Sequence, residues 1–246
     1  MAHLLRDTDA MTITIGSPEL INGQEGRRVL AAFYGELLGL RAFEPYGWLK
    51  LTREPPDTPL QLALDGDGWS DARPPRWPDP EYPQQLHLDL FVPDLDSADQ
   101  RVRELGAARL ADQDHFRIFA DPAGHPFCLY PHPSGEARIG RLVIDCLSPR
   151  SLADFYAGLL GVPERTIDTV ERVELDLADD ELPNLAFQHA QFPATRWPDP
   201  AYPAQLHVDY RFPDGAEAAR ARAVRLGAIP MDGPVYADPA GHPFCL

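Results

Sequence analysis

The stretch "ADPAGHPFCL" at 120–129 returns unchanged at 237–246. In both copies Asp-Pro-Ala-Gly reads as a tight turn, because Pro fixes φ and Gly permits a positive one. Pro-Phe-Cys-Leu then reads as a short strand. The echo extends upstream. RWPDPEYPQQLHLDL (76–90) answers RWPDPAYPAQLHVDY (196–210), with eleven of fifteen positions identical. ELGAARL (104–110) matches RLGAIPM (225–231), and the helix-like SPELINGQEGRRVLAAFYGELLGL (17–40) matches SPRSLADFYAGLLGV (148–162). The chain is therefore a tandem repeat of two domain-sized units, 11–133 and 139–246, joined by the Pro/Gly/Ser-containing segment 131–138. The first copy continues with Tyr130 and Pro131, so the last strand of the second copy is expected to end abruptly.

Each unit divides again. In the second, RLVIDCL (141–147) reads as a strand. Ser148 and Pro149 open a helix over about 150–160 that places Leu152, Phe155, Leu159 and Leu160 on one face, and Gly161 closes it. RVELDLA (172–178) and NLAFQHA (184–190) read as strands. The strand QLHVDYRF (205–212), a helix over 216–227 and three short strands follow. The first unit gives the same order, with helices over about 25–38 and 96–105. The order is β-α-β-β-β, four times over, which predicts an α+β fold.

The 246 residues carry a formal net charge of −16. That balance opposes nucleic-acid phosphates and anionic membrane surfaces, so neither is expected as a partner. Cys128, Cys146 and Cys245 form no paired framework, which fits a reduced, cytoplasmic setting. The N-terminal MAHLLRDTDAM lacks a signal-peptide core, Met11 is an alternative start, and residues 1–10 are expected to be disordered. No apolar run reaches transmembrane length. Nucleotide-loop, serine-hydrolase and zincin motifs are absent from the sequence.

The pattern FYGELLG / DFYAGLLG after a first strand, HLDL / HVDY on a later strand and DPAGHPFCL at the end resembles the vicinal oxygen chelate superfamily. That is the glyoxalase, bleomycin-resistance and extradiol dioxygenase fold, and the likeness is strongest to its glyoxalase-like domain branch. The resemblance covers nearly the whole chain. It implies two tandem glyoxalase-like domains, each of two β-α-β-β-β modules curled into a half-open barrel around a central cleft. Many members hold a divalent metal there with His/His/Glu. Carried over by residue, the later-module His falls on His87 and His207, and the Glu falls on Cys128 and Cys245. The first-module position falls near Ala10 or Met11 in one unit and near Arg141 in the other. Only a His and a Cys of that triad remain in each copy. Two donors are too few for an open three-ligand site, so no metal cofactor is predicted, although a divalent ion is not excluded.

His87 with Asp89, and His207 with Asp209, share one face of their strands, while Leu86, Leu88 and Leu90 take the other. Each polar pair either contacts a ligand in the cleft or is a satisfied structural pair. Trp77 and Trp197, in the stiff RWPDP loops, either stack on an aromatic ligand or anchor the loop. Arg76 and Arg196 pair with Asp79 and Asp199 or with a ligand carboxylate. Cys128 and Cys245 read as small buried side chains, and His125 and His242 as turn residues. These expectations converge on a metal-independent protein that binds a small molecule, aromatic or drug-like, in two clefts lined by the His/Asp strand, the Cys strand, the RWPDP loop and Arg141. A homodimer is a possible assembly. The alternative is a lyase, isomerase or dioxygenase with a non-standard metal or acid–base site, for which His189 is a spare ligand.

Overall fold

The structure is a computed structural model that describes residues 10–18, 20–54, 58–65, 73, 75–133, 135–178, 181–191, 193 and 195–246. The expectation for residues 1–9 lies outside the described residues. Four modules follow one another. The first comprises β1 (Met11–Gly16), α1 (Gly26–Leu38), β2 (Arg41–Phe43), β3 (Leu49–Thr52) and β4 (Leu60–Asp65). The second comprises β5 (Leu86–Val92), α2 (Leu95–Glu104), β6 (Ala108–Asp112), β7 (Arg117–Ala120) and β8 (Pro126–Pro131). The third comprises β9 (Arg138–Cys146), α3 (Pro149–Leu160), β10 (Arg165–Asp168), β11 (Arg172–Leu175) and β12 (Asn184–His189). The fourth comprises β13 (Leu206–Tyr210), α4 (Ala216–Arg225), β14 (Ile229–Pro230), β15 (Val235–Ala237) and β16 (Pro243–Cys245). The expected order holds in every module. Gly39 and Gly161 close α1 and α3 with left-handed φ of 64° and 70°. Among the described residues no helix is long and apolar enough to cross a membrane.

Sixteen of the eighteen strands among the described residues form two eight-stranded mixed sheets, the other two, Leu20–Ile21 and Gln24–Glu25, pairing with each other in a hairpin before α1, and the modules of each large sheet come from different repeats. Sheet 1 runs β14-β15-β16-β13-β1-β4-β3-β2, joining modules one and four. Sheet 2 runs β10-β11-β12-β9-β5-β8-β7-β6, joining modules two and three. Within each module the first strand pairs parallel to the last, and across modules the two first strands pair antiparallel, β1 with β13 and β5 with β9. Among the described residues neither sheet closes into a barrel. Two modules per sheet were expected. Their pairing across repeats was not, and it revises the picture of a cleft inside each repeat. The physical reason lies in the joining segment. It leaves β8, on one side of β5, and delivers β9 to the other side of the same strand.

Helix packing, by contrast, follows the repeats. α1 buries Leu30, Phe33, Tyr34, Leu37 and Leu38, and it packs on its own sheet and beside α2 of sheet 2. Phe33 meets Phe127 edge-on at 5.7 Å, and Phe155 meets Phe244 at 5.9 Å. The repeated decapeptide anchors this contact. Asp121 Oδ1 accepts the backbone N–H groups of Ala123 and His125, both at 2.9 Å, and its Oδ2 accepts Tyr34 Oη–H at 2.9 Å. Asp238 repeats the arrangement with Ala240, His242 and Tyr156. Both carboxylates are buried, and a buried polar group is costly unless it has such hydrogen-bond partners. The segment is thus a turn clamped onto the helix of the preceding module, with His125 Nδ1 3.2 Å and His242 Nδ1 3.4 Å from the Asp Oδ2 atoms.

The other repeated block forms the seam between the repeats. Gln85 N–H donates to Gln205 Oε1 at 2.9 Å, and Gln205 N–H donates to Gln85 Oε1 at 3.0 Å. Their side-chain amides donate to Pro203 and Pro83 carbonyls. Tyr82 and Tyr202 stack obliquely at 5.7 Å beside them. We expect Tyr34→Phe and Tyr156→Phe each to lower unfolding free energy by about 1–3 kcal/mol, because each leaves a buried carboxylate short of a donor. Tyr46→Phe, at an exposed position, should change it by less than about 0.5 kcal/mol. Urea denaturation midpoints at constant slope measure both.

Candidate functional site

Register places matching residues in rows across three strands. In sheet 1, Thr12, Asp209 and Cys245 lie side by side on β1, β13 and β16. In sheet 2 the same row reads Arg141, Asp89 and Cys128 on β9, β5 and β8. His207 and His87 stand two residues before each Asp on the same face, with Nε2 3.3 Å and 3.6 Å from the respective Oδ1. The correspondence extends outward. Gln61, Lys50 and Trp48 of sheet 1 occupy the places of Asn184, Glu174 and Arg172 of sheet 2. The ligand position expected near Ala10 or Met11 therefore falls on Thr12. Ala10 and Met11 are fully buried in the core.

These substitutions give the two clefts opposite characters. In sheet 2 Arg141 Nε donates to Glu174 Oε2 at 2.7 Å, and its Nη1 donates to Asp89 Oδ2 at 3.4 Å. Arg172 Nη2 donates to the same Asp89 oxygen at 3.2 Å, and its Nη1 donates to Gln188 Oε1. Asp89 is 0 % exposed. Two guanidinium groups and two carboxylates neutralise one another inside the cleft. Arg141 also lies over Phe91 at 4.7 Å and Tyr130 at 5.4 Å. Gly140 makes this possible: it sits in a bulge, and a Cβ there would lie 2.5 Å from the Phe91 ring.

Sheet 1 has no arginine at these positions, and a cleft of about 690 Å³ lies open there. Its floor is Thr12, Thr14, Gln61 and Lys50, with Lys50 Nζ donating to Gln61 Oε1 at 2.7 Å. Asp209 and Arg211 stand at one end. One wall is aromatic: Phe43 at the end of β2, Tyr46 in the irregular turn PYG and Trp48 just after it. Tyr46 has φ of 54° and is fully exposed, while Trp48 is 47 % exposed. A second cavity of about 630 Å³ lies between the end of α1 and the joining segment. It has an aliphatic floor and a charged rim in which Arg53 and Glu136 already pair at 2.7 Å, and it carries no aromatic wall.

The predicted site residues fall as follows. His87, Asp89, Cys128 and Arg141 come together in the filled cleft, and His207, Asp209 and Cys245 come together beside the open one. Trp77 and Trp197 are half-buried in loops with cis Trp-Pro bonds, next to the seam, and neither lines the open cleft. Arg76 pairs with Asp79 as expected, whereas Arg196 lies over Tyr202 at 4.3 Å. His189 sits at the end of β12, 3.8 Å from Glu171, apart from both triads. Thr12, Thr14, Phe43, Tyr46, Trp48, Lys50 and Gln61 were not anticipated. The alternation in TITI was the available signal, since its Ile residues face the core and its Thr residues face the cleft.

The resemblance implies a metal, and the two rows answer differently. The His/His/Glu set is absent. In sheet 2 the guanidinium groups already supply the positive charge, and a cation does not fit. Three donors converge in each sheet, His207, Asp209 and Cys245 in sheet 1 and His87, Asp89 and Cys128 in sheet 2, each set within 4.8 Å. The count of two donors made from the sequence omitted the Asp. Burial works against charge on Asp209, but the His207 hydrogen bond and charge, with Cys245 and Lys50, hold its carboxyl below the usual range. Burial, with the Asp209 charge beside it, pushes the Cys245 thiol up to about 12. At pH 8 that leaves on the order of one thiolate in 10,000, against a free thiol value near 8.5. Cys245 should therefore alkylate at least about 100-fold more slowly in the folded protein than in the unfolded one. Asp209→Asn should speed it. Mass spectrometry of the modified peptide measures both.

The sequence matches the glyoxalase-like domain family twice, over 22–130 and 141–246. No curated protein matches it. Among solved structures, glyoxalase I from Zea mays is similar at a TM-score of 0.64 and 14 % identity, covering 97 % of this chain and 90 % of that one. A candidate dioxygenase from Bacillus subtilis is similar at 0.60 and 13 %, covering 97 % and 84 %. Both likenesses concern the fold alone. TnmS3, an antibiotic binding protein from Streptomyces, matches at 0.30 and 21 %, covering 53 % of this chain and 96 % of that one. With both repeats matched, the chain belongs to the glyoxalase-like domain family, within the vicinal oxygen chelate superfamily.

Proposed function

We propose that this glyoxalase-like protein binds a small aromatic molecule in the cleft of sheet 1, and that it does so without needing a metal. The supporting observation is the aromatic wall of Phe43, Tyr46 and Trp48 facing a polar floor across about 690 Å³. That volume is within the roughly 300–1,000 Å³ of small-molecule sites, and a few fixed polar groups among apolar walls is their usual composition. Trp48 offers a face for stacking. Lys50 and the Thr hydroxyls offer donors, and Asp209 offers an acceptor. The chemistry suits an aromatic compound carrying hydroxyl or carbonyl groups. Lys50 and Arg211 against Asp209 favour a neutral or singly anionic guest locally, despite the acidic chain. Sequestration is the simplest activity, since nothing in it requires a bond to be made or broken.

One cleft per chain is the expectation, because the matching cleft of sheet 2 is filled by Arg141 and Arg172. Titration of chelator-treated protein with a panel of hydroxylated aromatic compounds, followed by tryptophan quenching and calorimetry, should give one site per chain. Trp48→Ala should weaken binding about 10-fold or more, from lost stacking and lost contact area. Trp77→Phe should stay within about twofold. No binding up to millimolar concentrations, or equal losses in both variants, would overturn the proposal.

A further inference from the structure

We propose that the cavity behind β3 and β4 is a second binding site, and that it takes an aliphatic α-amino acid as the zwitterion, with its carboxylate on Arg41, its ammonium on Glu54 and its side chain on the leucines beneath. The inference goes beyond the cleft reading and stands whether or not the cleft takes an aromatic guest. The cavity, of about 630 Å³, is bounded by the end of α1, by β3 and β4 and by the joining segment. Leu51 and Leu62 face it, whereas the neighbouring Lys50, Gln61 and Ala63 face the cleft, so the two spaces lie on opposite faces of the same strands. Its volume is within the roughly 300–1,000 Å³ of small-molecule sites.

Three observations support it. The floor is aliphatic: Leu38, Leu51, Leu62 and Ile139 are buried beneath it, and Leu40 and Leu60 are half-buried beside it. Next, the rim carries both signs, Arg41, Arg53 and Arg138 against Glu54, Glu136 and Glu181. Arg53 is closed, with Nη1 donating to Glu136 Oε2 at 2.7 Å and Nη2 donating to the Ala137 carbonyl at 3.1 Å. Arg138 holds its guanidinium over the Phe91 ring at 5.1 Å. Arg41 and Glu54 are exposed, and among the described residues neither has a charged partner. A lone anion would meet Glu54 and a lone cation would meet Arg41, so a head group with both charges suits this rim. Finally, the other sheet cancels the same charges. Arg165 opens β10 as Arg41 opens β2, and it pairs with Asp154 and Asp168. Asp154 precedes Phe-Tyr in α3, where α1 has Ala32. Glu54 stands four residues after Lys50, whereas Ala178 stands four after Glu174. Module three thus neutralises one of the two charges and lacks the other, and module one keeps both at the edge of an apolar cavity.

A guanidinium presents parallel N–H donors to a carboxylate, and a glutamate carboxylate accepts from an ammonium. A longer aliphatic side chain binds more tightly, because it removes more apolar area from water. Glu136 and Arg138 come from the joining segment, which the chain carries once, so one such site per chain is expected.

The test uses the full chain and titration calorimetry with three probes of equal chain length, α-aminooctanoate, octanoate and octylamine. The expected result is one α-aminooctanoate per chain, bound about 10-fold or more tightly than either singly charged probe. Arg41→Gln should weaken α-aminooctanoate about 10-fold or more without weakening octylamine. Glu54→Gln should weaken it as much without weakening octanoate. Both positions are exposed, and circular dichroism checks that the variants fold. Trp48→Ala, in the cleft, and Arg165→Gln, in the other sheet, should leave α-aminooctanoate within about twofold. An aromatic panel that fails to bind counts against the cleft reading and leaves this result as it is. No binding of α-aminooctanoate up to millimolar concentrations, a singly charged probe that binds as tightly, or full affinity in Arg41→Gln or in Glu54→Gln would each overturn the proposal, as would an equal loss in Trp48→Ala.

Discussion

The antiparallel pairing of the first strands, β1 with β13 and β5 with β9, is the constraint on which the rest depends. Each module leaves one edge of its first strand open, and the backbone groups along that edge need partners. The partner comes from the other repeat in both sheets. A single repeat therefore has a shared helical core but two incomplete sheets. The reciprocal hydrogen bonds of Gln85 and Gln205 lie where the two exchanges meet, and they fix the register of both sheets from one place. Each cleft is consequently assembled from segments distant in sequence.

That assembly explains how two halves that share long repeated blocks produce unlike clefts. His, Asp and Cys are contributed by modules two and four, whose sequences nearly coincide. The facing strands come from modules one and three, which differ. Arg141, Arg172 and Glu174 arrive opposite one copy of the triad, and Thr12, Trp48 and Lys50 arrive opposite the other. A buried pair of ion pairs is costly to desolvate and holds only when every member is matched. In sheet 2 Asp89 and Glu174 match Arg141 and Arg172, while Gln188 Oε1 accepts from Arg172 Nη1 and Asn184 Nδ2 donates to Glu174 Oε1. The result is a charge-matched cluster of partly exposed arginines where sheet 1 has an open cleft.

The fold was largely legible in the sequence because local rules set it. Period-two alternation gave the strands, Gly39 and Gly161 closed the helices, and LHLDL sorted its Leu residues from His87 and Asp89. The repeat gave the four modules. Which module pairs with which is not a local property, so the cross-repeat sheets were not legible. The triads were found, but Asp89 and Asp209 were weighed as partners of His and not as donors beside Cys. Trp48 and Tyr46 were missed because they come from an irregular turn with no periodicity to flag them.

Repetition within one chain also tells architecture from chemistry. The RWPDP block and the decapeptide drew attention because they recur. Both turn out to hold the molecule together: one forms the seam between repeats and the other clamps a turn to a helix through a buried carboxylate. A structural role common to both halves needs the same residues twice. A binding site does not, since one open cleft suffices and its counterpart is free to become core. Thr12 opposite Asp209, against Arg141 opposite Asp89, is where that divergence is decided, and it is a position that no shared motif contains.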